Sequence, residues 1–479
     1  MQLSLLTLEL AVVGLAFVVL LLDLWTPLEA KDRLSVVTAA GLALILALSF
    51  TLSGATPAVG FHGMFTQDAL ALFFKRFFLI AALSVVLMGW EFRDRIAQGH
   101  GEFNVLILIA LAGMMFAASA SDFVMVFVAL ELISVSFYIL ISFQRSRLHS
   151  LEAGVKYLIL SALASSFLVF GIALIFGTGN SANFEALRFV GAKLALNKVF
   201  WLGLLMVLLG LAFKISAVPL QMWAPDVYQG APTPVTAFLA VGSKAAGFIL
   251  LLRVLLVAAP ALAAHWSKLF ILVAAVTILY GNLCAIPQRS LKRLLGYSSI
   301  SNAGYLLLGV AALNASGAAA LLYYLAGYLF TLAAAFTVIC IVARESDDLS
   351  VLAGLHRRSP LLALALTLAM ISLAGIPPLA GFLGKFLLLK AIIQQAPVDT
   401  AYLWLAGVTL AGVVISIYYY FGVIRAIYWA KQPDDLSAIP VSTPMRISLG
   451  LCIAGMLYLG IFPSLVWDSA AEAVKALKF

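Results

Sequence analysis

The stretch LGLAFKISAVPLQMWAPDVYQGAPTPVTAFLAVGSKAAGFILLL, residues 209–252, sets Lys214 and Lys244 inside sequence otherwise suited to lipid. An ammonium is a strongly hydrated point charge, and at the centre of a spanning helix an ionisable group costs about 2.5–3.5 kcal/mol on insertion scales. Two such costs in one stretch imply surroundings inside a membrane that are protein-lined or wet. The rest of the chain agrees: 64% hydrophobic and 10% charged residues over 479 positions cannot coat a soluble protein. A helix needs about 20 apolar residues to cross roughly 30 Å of hydrocarbon. About fourteen such runs start near residues 3, 34, 66, 103, 121, 152, 199, 232, 267, 290, 317, 360, 401 and 446. They are continuous rather than alternating, which excludes an outer-membrane barrel and predicts an all-α polytopic membrane protein. The first run has no basic leader and no small-residue cleavage site, so it reads as a retained helix.

The net charge of +8 is spread over loops, with no basic tail or aromatic-interleaved patch, which argues against a nucleic-acid partner and for the lipid bilayer. Loops after odd-numbered runs hold Lys31, Arg33, Arg93, Arg95, Arg145, Arg147, Arg289, Lys292, Arg293, Arg344, Arg357, Arg358, Lys431 and Arg446; those after even-numbered runs offer Arg188, Lys193, Lys198 and Lys268. The positive-inside rule then puts the odd loops in the cytoplasm and both termini on the outer side. Cys284, Cys340 and Cys452 lie on separate runs, and the histidines fall in or near loops, so no iron–sulfur, zinc or haem pattern is legible. No phosphate-cradling glycine loop follows a strand either. The expectation is no metal and no cofactor in this chain.

Depth separates functional charges from snorkelling ones. Glu131 lies ten residues past Ser121, about 15 Å into its run, and Lys244 lies equally far past Pro234. Lys214 is also deep. Lys156 and Lys390 lie nearer the ends of their runs, where snorkelling and function both stay open. Lys75 and Arg76 are deep in the third run with no local partner. Pro219, five residues after Lys214, and the pair Pro377 and Pro378, shortly before Lys385, predict discontinuous helices in runs seven and twelve. Broken backbone at membrane depth is tolerated only inside protein or beside a watery cavity. The two breaks are an odd number of helices apart, which predicts two inverted five-helix repeats, helices 4–8 and 9–13. The resulting plan is a single transmembrane unit, residues 1–479, with three N-terminal helices (1–100), a first repeat (103–258), a second repeat (267–430) and a C-terminal helix (446–479). Burial favours a neutral amine and a nearby carboxylate favours an ammonium, so buried lysines beside a glutamate can exchange protons.

The segments APDVYQGAPTPVTAFLAVGSKAAGF, SLEAGVKYLILSALASSFLVFGIALIFG, LKRLLGYSSISNAGYLLLG and AGIPPLAGFLGKF resemble subunit N of bacterial proton-translocating NADH:quinone oxidoreductase, respiratory complex I, over nearly the whole chain. The resemblance implies an antiporter-like subunit of the inner-membrane arm, moving protons while quinone is reduced elsewhere. By motif, Glu131, Lys156, Lys214, Lys244 and Lys385 would form the relay, with Glu131 and Lys214 as a modulating ion pair. FMN, iron–sulfur clusters and quinone would belong to other subunits, and the neighbours would include antiporter-like subunit M and small subunit K. One position departs from the pattern: Asn302 stands where many members have histidine. Asparagine cannot carry a proton at pH 7, so a water-filled link between Lys244 and Lys385 is expected there. Two other readings share these features: a subunit of a multi-subunit cation/proton antiporter, and a membrane scaffold whose buried charges only fix helix packing.

Overall fold

The computed structural model describes residues 3–27, 30–54, 56–96, 99–194, 196–344, 346–431 and 436–477. In chain order the helices are α1 (Thr7–Trp25), α2 (Arg33–Ser49), α3 (Ala69–Phe92), α4 (His100–Ser119), α5 (Phe123–Ile141), α6 (Leu148–Gly179) and α7 (Phe184–Leu194). They continue as α8 (Lys198–Ile215), α9 (Trp223–Gly230), α10 (Thr233–Phe238), α11 (Lys244–Arg253), α12 (Ala263–Ala285), α13 (Leu291–Ala311) and α14 (Ala315–Val342). The last are α15 (Leu355–Arg358), α16 (Pro360–Ala374), α17 (Ala380–Ile393), α18 (Ala401–Tyr428), α19 (Thr443–Ile461) and α20 (Ser464–Val474). A hairpin of β1 (Ala58–Gly60) and β2 (Phe65–Gln67) precedes α3.

Among the described residues, 12 helical stretches are long and apolar enough to cross a membrane. The shorter apolar helices α2 and α16 fall where the second and twelfth runs were expected. Helices therefore begin within a few residues of every predicted run.

Connections gather at two ends. At one, Ser121 N–H donates to Met64 O at 3.0 Å and Phe123 N–H to Ala182 O at 3.0 Å, joining the segments before α3, α5 and α7. At the other, Arg95 donates to Cys340 O at 2.7 Å, Leu349 N–H to Arg289 O at 2.9 Å, and Gln144 to Arg95 O at 3.2 Å. The arginine-rich loops thus share one end, as alternating helices require.

Small residues set the tightest helix pairs. A Cβ on Gly203 would lie 2.8 Å from Gly171 O, so α8 rests backbone to backbone on α6, and a Cβ on Gly304 would lie 2.8 Å from Ile278 N where α13 meets α12. Close approach of this kind replaces the hydrophobic drive that lipid does not supply. The stretch Thr233–Ala258 and α13 are enclosed on all sides, whereas α6, α12 and α18 keep broad apolar faces exposed. Thr233–Ala258 is not uniform: π-helical turns at Leu239–Ser243 and Val254–Ala258 flank α11, and Lys244 is the first residue after the first of them. Such turns are frequent at functional sites.

Both predicted breaks are present. The seventh run is α8 and α9 separated by residues 216–222, which include Pro219; the twelfth is α16 and α17 separated by residues 375–379, which include Pro377 and Pro378. Each first half ends on a left-handed residue, Ser216 (φ 60°) and Gly375 (φ 82°). The Val218–Pro219 and Pro377–Pro378 peptides are cis.

Candidate functional site

Lys214 lies in the last turn of α8, where unpaired carbonyls make the helix end negative. Its Nζ donates to Ser134 Oγ at 2.6 Å and to Ser161 Oγ at 3.4 Å. Glu131 is half-buried and accepts from Ser165 Oγ. Glu131 and Ser134 are three apart on α5, and Ser161 and Ser165 four apart on α6, so each pair stacks on one helix face. Among the described residues Glu131 and Lys214 are not within 4.0 Å of each other; each ends on a serine hydroxyl of the same small cluster.

Lys244 Nζ donates to Ser299 O at 2.6 Å and Ser299 Oγ at 2.5 Å, and Tyr228 and Tyr328 hydroxyls stand 3.0 Å and 3.3 Å from that same Oγ. The Tyr328 ring lies beside Tyr324, which donates to Asn302 Oδ1 at 2.5 Å. Asn302 Nδ2 donates to Ser298 O at 2.8 Å, and Ser298 Oγ meets Tyr420 OH at 2.5 Å. Tyr420 packs on Tyr419, which donates to Asn282 Oδ1 at 2.9 Å; Asn282 Nδ2 donates to Tyr305 OH at 3.2 Å. The Tyr305 ring centroid is 4.5 Å from Lys385 Nζ. A row of hydroxyls and amides thus runs from Lys244 toward Lys385, with ring contacts at three of its links. The Asn302 amide is fully buried and bonded to side-chain and backbone groups of the protein. None of the tyrosines was singled out from the sequence, because hydroxyls in apolar helices leave no charge to notice.

Lys385 lies on α17, yet its Nζ reaches back to donate to Leu373 O at 2.6 Å, one of the carbonyls left over at the end of α16. Lys214 and Lys385 thus occupy different halves of their broken helices, and only Lys385 rests on a carbonyl at the end of the first half; Lys214 rests on serine hydroxyls. Gly375 makes room, since a Cβ there would lie 3.1 Å from Lys385 Cδ.

Lys156 stands apart. Its side chain is 43% exposed, and it pairs with Glu152 at 2.7 Å and Asp226 at 2.9 Å in a polar cavity of about 620 Å³ at the arginine-rich end. Arg95, Arg147, Lys292, Arg293 and Arg344 line the same cavity. Lys156 is a mouth residue, not a member of the buried row, because its helix begins at Leu148 and places it only about two turns from that end.

The buried cations fall into two kinds. Lys75, with no partner legible in the sequence, pairs with Glu9 at 2.6 Å, both wholly buried, and Arg253 pairs with Asp68 at 2.8 Å. Part-buried Arg76 and buried Lys292, outside the row, donate to Ser49 O at 2.9 Å and Ala231 O at 2.7 Å. Lys214, Lys244 and Lys385 are 4%, 1% and 6% exposed, and among the described residues none has a carboxylate within 4.0 Å; their partners are hydroxyls and carbonyls. A hydroxyl can accept from an ammonium or donate to an amine, so it serves both protonation states, whereas a buried carboxylate partner holds the charge in place.

Residues 120–414 match the family described as NADH:quinone oxidoreductase/Mrp antiporter, TM. The chain is 39% identical to a Trichlorobacter lovleyi protein named NADH-quinone oxidoreductase subunit N, over 98% of this chain and 96% of the relative. It is 37% identical to a protein of the same name from Rhodospirillum rubrum, over 98% and 96%. A chain of respiratory complex I from Thermus thermophilus with bound aureothin superposes with a TM-score of 0.81 at 33% identity, covering 96% of this chain and 98% of that one. A chain of the Mrp complex from Dietzia sp. has the same fold, with a TM-score of 0.87 at 22% identity over 100% and 98%.

Proposed function

The chain belongs to the family of antiporter-like membrane subunits whose relatives are named NADH-quinone oxidoreductase subunit N, and from that premise we propose that Lys214, Lys244 and Lys385, with Glu131, form its proton relay. The subunit translocates protons in the membrane arm of respiratory complex I, driven by quinone reduction elsewhere. The observation that carries the relay is the choice of partners: the three lysines rest on groups that tolerate either protonation state. Ser134, Ser161 and Ser299 and the tyrosine row supply hydroxyls that both donate and accept, and the π turn before Lys244 frees local backbone for rearrangement. Lys156, with Glu152 and Asp226, stands at the cavity through which protons reach the row from the arginine-rich side.

The finer frame belongs to the same proposal. It has fourteen spans counting α2 and α16, inverted repeats over 103–258 and 267–430, the arginine-rich end in the cytoplasm, and both termini in the periplasm of an inner membrane. Redox groups sit in other subunits, and the membrane neighbours include subunits M and K. The likeness to antiporter complexes is one of fold, whereas the identities near 39% are with proteins named subunit N, which favours a complex I subunit over an antiporter.

The test is Lys214→Met and Lys244→Met in membranes carrying the assembled complex. Methionine keeps length and apolar contact while removing the charge, so assembly on native gels should persist. NADH-driven pumping should be lost, and quinone reduction should fall with it. Lys214→Arg should rescue poorly, because a guanidinium stays protonated. The scaffold reading expects the reverse order, and normal pumping in both methionine variants would overturn the relay.

A further inference from the structure

The APDVYQG segment lies in α9, and its acid does more than line the cavity mouth. Asp226 takes two cations at once: Lys156 Nζ donates to Oδ2 at 2.9 Å and Arg293 Nη1 to Oδ1 at 2.5 Å. Lys156 belongs to α6 and Arg293 to the first turn of α13, so one carboxylate ties the half-helix to a neighbour on each side. Arg293 also donates to Gln229 Oε1 at 3.3 Å, one turn along the same face. The inner face of α9 carries Trp223, which donates to Phe213 O at 2.9 Å, and Tyr228, whose hydroxyl meets Ser299 Oγ at 3.0 Å. Ser299 is the residue on which Lys244 rests.

Eight residues cannot hold a helix by themselves, so the placement of α9 depends on what grips it. Its contact with α13 is close: a Cβ on Gly296 would lie 3.0 Å from Pro225 Cα. A rotation of α9 at its charged face is therefore carried to Tyr228 two residues on.

We propose that Asp226 is a positioning residue: by clamping α9 between Lys156 and Arg293 it sets the Tyr228 hydroxyl on Ser299, and through Ser299 it fixes the seat of the Lys244 ammonium. This rests on the reading of Lys244 as a proton carrier.

The experiment is a double-mutant cycle of Asp226→Asn and Tyr228→Phe in membranes with the whole complex, with NADH-driven pumping normalised to assembled complex on native gels. Each single change should cut pumping about fivefold, or about 1 kcal/mol, and the pair should do no worse than about fivefold, since both break one connection. Both singles should displace the pH profile of pumping in the same direction, and Asp226→Glu should restore most of it. Multiplied losses of about 25-fold in the pair, at an unmoved pH profile, would overturn the clamp. If Asp226→Asn fails to assemble, Arg293→Gln replaces it in the same cycle with the same two outcomes. Lys244→Met, assayed alongside, keeps the questions apart: normal pumping there removes the relay, whereas lost pumping there with multiplied losses in the cycle removes the clamp alone.

Discussion

Lys75 and Lys244 are equally hidden and chemically identical, yet they have opposite partners, an acid for one and a serine for the other. Removing one member of a buried ion pair leaves its partner charged and unpaired, at a cost of about 3–5 kcal/mol. Lys75→Met should therefore reduce assembled complex strongly, and adding Glu9→Gln should restore much of it; Lys244→Met should leave assembly intact and stop transport. Native gels and pumping assays on the same membranes read both, and a fully assembled Lys75→Met variant would contradict the distinction between the two kinds of lysine. The sequence disclosed Glu131, Lys214, Lys244 and Lys385 because a charge at membrane depth is conspicuous. It hid what they touch. Ser134, Ser161 and Ser299 cost little in an apolar helix, and the partner of Lys75 is one of two acids in the first run, visible as a residue but not as a neighbour.

At the scale of elements, prolines announced both broken helices, since they cannot continue an i→i−4 ladder. Which carbonyls the breaks would expose, and that Lys385 would reach backward across its own break, depends on the fold of residues 375–379. The π turns around α11 had no residue signature at all. The two left-handed caps give a paired prediction. Gly375→Ala forces a Cβ into φ 82°, at about 1–2 kcal/mol, and sets it 3.1 Å from Lys385 Cδ, so pumping should fall well before assembly does. Ser216→Gly relieves a φ of 60° at a residue whose buried Oγ has no hydrogen-bond partner among the described residues, and should be neutral or stabilising by up to about 1 kcal/mol. Thermal dissociation of the complex on native gels measures both, and destabilisation by Ser216→Gly would show that its hydroxyl, not its backbone, matters.

For the whole molecule, apolar runs and loop charges were enough to predict the order of helices, because crossing lipid leaves few alternatives. Lys156 lies near the end of its helix, as its place in the run indicates; only the resemblance sets it beside the deep charges. Sidedness is open to direct measurement: cysteines at Arg145, Arg289 and Arg357 should label from the cytoplasmic face of inside-out vesicles, and cysteines at Asn180 and Lys268 from right-side-out ones. Labelling of Arg145 and Lys268 variants from one side would break the alternation. The depth of the charged row has an electrical consequence. Glu131 and Lys244 lie near the middle of their helices, and Lys214 and the Leu373 carbonyl that holds Lys385 lie at mid-helix breaks. A full crossing costs about 2.3 kcal/mol per 100 mV, but a proton stepping sideways along one depth does almost no work against the field. In the proposed relay the voltage would then fall on the two short vertical legs joining the row to either face, each bearing roughly half. A high membrane voltage should slow filling or emptying of the row while leaving exchange along it untouched.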